Sequence, residues 1–208
     1  MRLRQAAVVC RDLSEGRAAV EALGCRAPFR DSMVEEFGLE NAVYTIGDTF
    51  LEVLAPVEQG VSAARFLDRR GGVGLHGYML LIQVEDLDVI RAAVGRLGVR
   101  EVWSIVHDDV RSLHVHPGDL GAVVSFEEAV PASSWRWGGP AWHERAVPGR
   151  LRAVEIGGAP RDLWSSLLGR GEVGSALVLD DGSEIRFVDG SGITAIELEI
   201  DGSVVQVG

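Results

Sequence analysis

Lysine is missing from the 208 residues: all twenty basic residues are arginine, and asparagine occurs once, at Asn41. With many Ala, Gly and Val residues beside it, this bias reads as the coding habit of a GC-rich genome. The formal net charge is −11. A phosphate-binding surface needs clustered cationic side chains, so nucleic acid is not expected as a partner. No apolar run approaches the ~20 residues that cross a bilayer. The segment Met1–Cys10 lacks the apolar core and small-residue cleavage site of a secretion signal. No membrane association is therefore expected, and a cytoplasmic location is. The two cysteines, Cys10 and Cys25, have no C-x-x-C spacing and lie among apolar residues, which predicts buried free thiols. There is no P-loop, dinucleotide fingerprint, zinc-type cysteine pairing or nucleophile elbow. The glycine loop Gly71-Gly72-Val73-Gly74 precedes a strand-like run, so it cannot present helix N-terminal amides to a phosphate.

What the sequence does contain is an internal repeat. Asp12-Leu13, Arg17-Ala18-Ala19-Val20, Leu23-Gly24 and Arg26 return 74 positions later as Asp86-Leu87, Arg91-Ala92-Ala93-Val94, Leu97-Gly98 and Arg100. Self-similarity at fixed internal spacing marks a duplicated unit. In the second copy Leu87, Ile90, Val94 and Leu97 form one helical stripe, and in the first Gly16 falls at the position of Ile90. Asp12 and Asp86 suit the N-cap, and Gly24 and Gly98 suit the left-handed residue after the helix.

An apolar strand precedes each helix, at 6–10 and 80–84. Strand-like runs follow at 42–46 and 50–54, then at 102–106, 113–115 and 122–126, with Gly47-Asp48 as a hairpin turn. The order β-α-β-β-β thus occurs twice, over modules 1–57 and 74–130. Residues 131–149 carry Pro131, Pro140, Pro148, Trp135, Trp137 and Trp142. This composition predicts an ordered connector whose tryptophans cover apolar surface. The unit then returns over 150–208, with a strand at 151–156, a helix opened by Pro160, a hairpin and a last strand at 193–200. The fold class is α+β: tandem βαβββ modules forming a cup-shaped mixed sheet, plus a third βαβββ-like unit. A lone unit would expose apolar residues such as Val178, Ile185, Phe187 and Ile196 unless the connector, the first two modules or the same unit of a second subunit covered them, and of these a homodimer is expected.

Tandem βαβββ units with Asp-Leu opening each helix resemble the vicinal-oxygen-chelate superfamily, which includes glyoxalase I, extradiol dioxygenases, methylmalonyl-CoA epimerases and antibiotic-sequestering proteins. Asn41-Ala42-Val43 with Phe50-Leu51-Glu52 is similar to its glyoxalase-like members with an extra half-module. The resemblance implies a cup whose metal ligands come from the first and last strand of each module. Those positions here hold Gln5, Glu52, Met79 and Ser125. Gln5 and Glu52 suit a divalent ion, whereas Met79 and Ser125 do not. The inherited ligand set is therefore incomplete: a divalent metal is possible, no cofactor is certain, and these four residues are not expected to bind a metal together.

Strand parity turns His114 and His116 toward the cup, opposite Leu113 and Val115, and places Glu127 on the face of Ser125. A relocated metal site of Glu52, His114 and His116 is the alternative. Glu52 and His116 are the catalytic candidates, and Gln5, Met79, His114, Ser125 and Glu127 are candidate binding residues for a small-molecule ligand. The resemblance implies a lyase or isomerase acting on a carbonyl or other oxygenated metabolite, with Glu52 moving a proton. The alternative is a non-catalytic protein that binds or sequesters an antibiotic-like molecule. An extradiol dioxygenase fits least, because the usual ligand positions are not His.

Overall fold

The first strand, Arg2–Val9 (β1), is buried on both faces. Ala6 and Val8 pack on one side, Ala7 and Val9 on the other. Such a strand belongs in the middle of a covered sheet, and β1 takes that place in a computed structural model that describes residues 1–71 and 73–208. The helix Leu13–Glu21 (α1), the strands Leu39–Ile46 (β2) and Thr49–Pro56 (β3), and a further helix Ser62–Arg70 (α2) follow. The second module comprises His76–Gln83 (β4), Leu87–Leu97 (α3), Glu101–Val106 (β5), Val110–Val115 (β6), the short helix Pro117–Leu120 (α4) and Val123–Ala129 (β7). One seven-stranded sheet results, in the order β2-β3-β1-β4-β7-β6-β5.

The duplication is visible in the pairing. β1 runs parallel to β3 as β4 does to β7, and the modules join through antiparallel β1 and β4. Asp12 caps α1 by accepting from the Ser14 and Glu15 amides, and Asp86 caps α3 through the Asp88 and Val89 amides. Leu87, Ile90 and Val94 are buried in the same core as Val20, while Leu13, Leu23 and Leu97 pack partly buried against it. Two details depart from the repeat. The first post-helix strand of module one is reduced to the single bridge Phe29–Val43, and a 3-10 turn at Ser32–Phe37 occupies the chain after it. Gly98 caps α3 in the left-handed region, but α1 ends on Ala22, and Gly24, also at positive φ, lies beyond the cap. Gly72 of the glycine loop lies outside the described residues, and Gly71 ends α2.

Gly16 is required by packing. A Cβ there would stand 2.5 Å from Cys10 Sγ and 2.7 Å from Val53 Cγ1, both buried. Gly95 on α3 meets nothing within 4 Å. Gly16→Ala is therefore expected to destabilise by about 1–3 kcal/mol through overpacking. Gly95→Ala should stabilise by up to about 1 kcal/mol through helix propensity. Urea unfolding of the pair checks the opposite signs; equal effects would refute the close approach of α1.

The third unit forms its own sheet, β12-β11-β8-β10-β9. It comprises Gly149–Gly157 (β8), Arg161–Leu168 (α5), Ala176–Val178 (β9), Glu184–Val188 (β10), Gly192–Ile200 (β11) and Ser203–Val207 (β12). β8 is parallel to β10, repeating the relation of β1 to β3, but β11 lies antiparallel on the other side of β8. It thus occupies the place that β4 takes beside β1. The apolar face of this unit is covered within the chain. Ile185, Phe187 and Ile196 are buried in one core with the α1- and α3-facing residues of the first sheet, and of the four only Val178 is exposed. The first two modules cover the third unit, so the reason for expecting a homodimer is removed. The outer face of the second sheet carries an ion-pair ladder, Arg152–Glu197–Arg186–Glu184, consistent with a wet surface. No helix among the described residues is long and apolar enough to cross a membrane.

Candidate functional site

With α1, α3 and the second sheet on one face of the seven-stranded sheet, its other face lines a cavity. Strand alternation sends Gln5 of β1, Glu52 and Leu54 of β3, Met79 and Leu81 of β4, and Val123 and Glu127 of β7 to that side. The cavity holds about 580 Å³, within the range of small-molecule sites. Its walls include Phe37 and Met33 of the 3-10 turn, Ala63 and Arg65 of α2, Trp103 of β5 and Trp137 of the connector. Phe37 and Trp103 meet edge-on at 6.0 Å, so the two modules touch across the opening.

Two carboxyl groups are buried here, and every oxygen of each accepts at least one hydrogen bond. Glu52 Oε2 accepts from Gln5 Nε2 at 2.9 Å, and its Oε1 accepts from Asn41 Nδ2 at 2.6 Å. Both amides are themselves oriented. Gln5 Oε1 accepts the Trp135 indole N–H at 2.8 Å, and Asn41 Oδ1 accepts the Asp31 amide at 2.9 Å. Neither can reverse without losing its outer bond, so Glu52 sees only donors. Glu127 Oε1 accepts from Ser125 Oγ at 2.5 Å, and its Oε2 accepts from Ser112 Oγ and, at 3.1 Å, from Trp137 Nε1. Two of its three partners are hydroxyls, which can donate or accept. Burial pushes both carboxyls up to about 7 against the pull of their donors. His114 packs on Trp103 with ring centroids 4.4 Å apart, and burial drives it down to about 4. It is a neutral imidazole near pH 7.

Glu52, His114, Gln5, Met79 and Glu127 thus face one cavity. Ser125 sits beneath it as a support of Glu127. His116 does not join them. The strand ends at Val115, Pro117 starts α4, and His116 becomes its N-cap. Its Nδ1 accepts from the Gly118 amide at 3.1 Å and lies 2.9 Å from Arg100 Nη2. The parity that turned it inward stops one residue too early. Its catalytic assignment and the alternative metal set Glu52, His114, His116 fall with it.

The four inherited ligand positions do not fit a divalent ion. Glu52 has both oxygens bound by amides, the Ser125 hydroxyl is turned to Glu127, and Met79 offers a thioether. No group of three or more His, Cys, Asp or Glu arranged to hold a metal occurs among the described residues.

The connector does more than cover surface. Trp135 is buried and stacks on Phe50 at 6.0 Å, as expected of a covering residue. Yet the indoles of Trp135 and Trp137 also reach Gln5 and Glu127. Buried Arg4 holds the connector down, its guanidinium lying 5.5 Å from the Trp135 and Trp142 rings and 5.6 Å from Phe50, and bonded to Asp48. Sequence reasoning missed Asn41, Ser112, Trp103 and these indole donors as parts of the site. For Asn41 and Ser112 the signal was available: each is polar at an inward parity position of a strand.

A family model described as a glyoxalase-like domain matches residues 6–148. No curated protein matches the sequence. Among solved structures, methylmalonyl-CoA epimerase from Mycobacterium tuberculosis is similar with a TM-score of 0.52 and 22% identity, over 62% of this chain and 87% of that one. A variant of the Streptomyces coelicolor methylmalonyl-CoA epimerase in complex with 2-nitronate-propionyl-CoA has a TM-score of 0.54 and 19% identity, over 65% of this chain and 99% of that one. At these identities the likeness is one of fold.

Proposed function

The chain belongs to the glyoxalase-like domain family, and from that premise we propose that its cup binds a small oxygenated molecule and moves a proton on it by paired carboxyl groups, as an isomerase or lyase. The observation that carries this reading is that Glu52 and Glu127, both buried, face one largely apolar cavity with their protons held to about 7. A group that gains and loses its proton near neutrality is suited to general acid–base work.

The partners divide the roles. Glu52, surrounded by fixed donors, is stabilised as the carboxylate and serves as base. Glu127, whose hydroxyl partners can turn to accept, keeps its proton more readily and serves as acid. Glu52 would take a proton from the carbon α to a carbonyl, leaving its electron pair in an enolate. Glu127 would give its proton to the enolate oxygen. As the enol O–H proton passes back to Glu127, return of a proton from Glu52 to carbon completes an isomerisation, and expulsion of a β-substituent with its bonding pair completes an elimination. The epimerase likeness accords with an isomerase, although it reaches only the fold. A purely binding protein is the second reading, favoured by the hydrogen bond that each Glu52 oxygen already accepts.

The test is α-hydrogen exchange in D2O, followed by proton NMR, over a panel of aryl ketones, β-keto esters and acyl thioesters. At least one compound is expected to exchange about 10²-fold or more above the buffer rate. Exchange for none of them defeats the catalytic reading and leaves the binding one. Because the donor set does not suit a divalent ion, exhaustive treatment with EDTA is expected to leave the rate within about twofold. A loss restored by Zn, Ni, Mn or Fe would refute that assignment.

A further inference from the structure

The charges around the cavity are unequal. Five carboxyl groups line it: Glu52 and Glu127 at the floor, and Asp31, Glu36 and Glu58 nearer the opening. Arg65 is the one arginine among the lining residues, and it is engaged locally, with its guanidinium bonded to the Gly60 carbonyl and, at 3.1 Å, to Ser62 Oγ. His114 adds no charge near pH 7, because burial keeps it neutral down to about 4. Four aromatic residues also line it: Phe37, Tyr78, Trp103 and Trp137.

An anion entering this space would meet two ionising carboxyls in an environment that already resists their charge. A cation would do the reverse. It would offset the desolvation of Glu52 and Glu127, and the faces of the tryptophan rings would attract it during entry. We infer that the ligand of the cup is a cationic, ammonium-bearing carbonyl compound with an apolar body, and not an anionic one such as a coenzyme A ester. This rests on the proposed proton-transfer reading for the carbonyl and on the charge and aromatic lining of the cavity for the ammonium group. An ammonium on the carbon next to the carbonyl also acidifies the C–H bond that Glu52 would break, so recognition and chemistry would use the same group.

Three aryl ketones of nearly equal shape separate the two parts. Phenacyltrimethylammonium is a permanent cation, 3,3-dimethylbutyrophenone is its neutral isostere, and phenacylsulfonate is a permanent anion. Binding is measured by calorimetry at about pH 8, above the value near 7 that burial gives both floor carboxyls. The α-hydrogen exchange of each compound is read relative to its own buffer rate. The cation is expected to bind at least about tenfold tighter than the isostere, and the sulfonate weaker than both. The exposed pair Glu36→Gln/Glu58→Gln should weaken the cation by about threefold, without altering the fold. Equal binding of cation and isostere, tighter binding of the sulfonate, or binding of none of the three overturns the inference. If the cation binds best but does not exchange, the ligand class stands and the proton-transfer reading fails. If the sulfonate binds best and exchanges, proton transfer stands and the ligand class fails.

Discussion

Glu52→Gln is expected to lower enzyme-catalysed α-hydrogen exchange by about 10²–10⁴-fold, the usual worth of a positioned general base. The fold should persist, but not without cost. The new amide places an NH2 where the carboxylate had an oxygen, and it faces either Gln5 Nε2 or Asn41 Nδ2. Neither partner can turn its oxygen round, because Trp135 and the Asp31 amide already use those oxygens. One buried donor is left facing another, which costs about 1–3 kcal/mol.

Glu127→Gln offers the contrast. Ser112 and Ser125 can rotate to accept from the new NH2, so its stability loss should stay below about 1 kcal/mol. Its exchange rate should fall less than that of Glu52→Gln, since the enolate oxygen can still receive a hydrogen bond from the amide. Measuring exchange and urea unfolding on both variants decides the matter. Equal losses of rate and stability would remove the division into base and acid.

The parts of this arrangement that the sequence discloses are those written in local pattern. The two Asp caps and the helical stripes identify the duplicated modules, because capping and amphipathic burial act within a few residues. Strand parity places Glu127 and His114 on the inner face because β6 and β7 run unbroken through them. The same parity fails for His116, where Pro117 ends the strand. Proline at the first helical position leaves the preceding residue as cap, a signal present in the sequence and outweighed there by the alternation.

Helix α2 was not legible for a physical reason. Its N-cap is Val61, which makes no side-chain cap bond, and its interior is rich in charge at Arg65, Asp68, Arg69 and Arg70. It stays in place because Ala63 and Leu67 bury themselves under the module junction. Least legible of all are the indole bonds. Trp135 reaches Gln5 across 130 positions. Only the closed fold, with Arg4 drawing the connector across the sheet, brings them together. The structure therefore assigns the connector to the site, where composition alone had assigned it to the surface.

The stability of the folded chain is expected to fall as pH rises from about 5 to about 8, opposite to the usual behaviour of carboxylates. Burial leaves Glu52 and Glu127 holding protons to about 7, whereas the unfolded chain releases them near the ordinary glutamate value of 4.5. Between those values the native state binds more protons, so the stability these groups lend is full at the acid end and lost as pH climbs through 7. Half-buried Asp31, also raised by desolvation, acts in the same direction at the acid edge.

His114 opposes them. Its unfolded value of 6.5 drops to about 4 in the native state, so its contribution is present above 6.5 and lost on acidification. Two carboxyls outweigh one imidazole. The net slope is downward from about 4.5 and fades above about 7, where the native carboxyls have released their protons. At about 1.4 kcal/mol for each pH unit separating native and unfolded titration, the fall amounts to a few kcal/mol. Carboxyls lowered by arginine partners, such as Asp119 beside Arg100 at about 2, titrate at more acid pH and leave this window alone.

Urea unfolding at constant ionic strength across this range checks the profile. Glu127→Gln should remove about half of the carboxyl contribution. With Glu52→Gln added, the slope between about 4.5 and 6.5 should change sign, because His114 alone then remains. A wild-type curve that rises between about 4.5 and 6.5 would mean that both carboxyls are ionised there, and neither could then serve as the acid; a flat one would mean that only one of them keeps its proton.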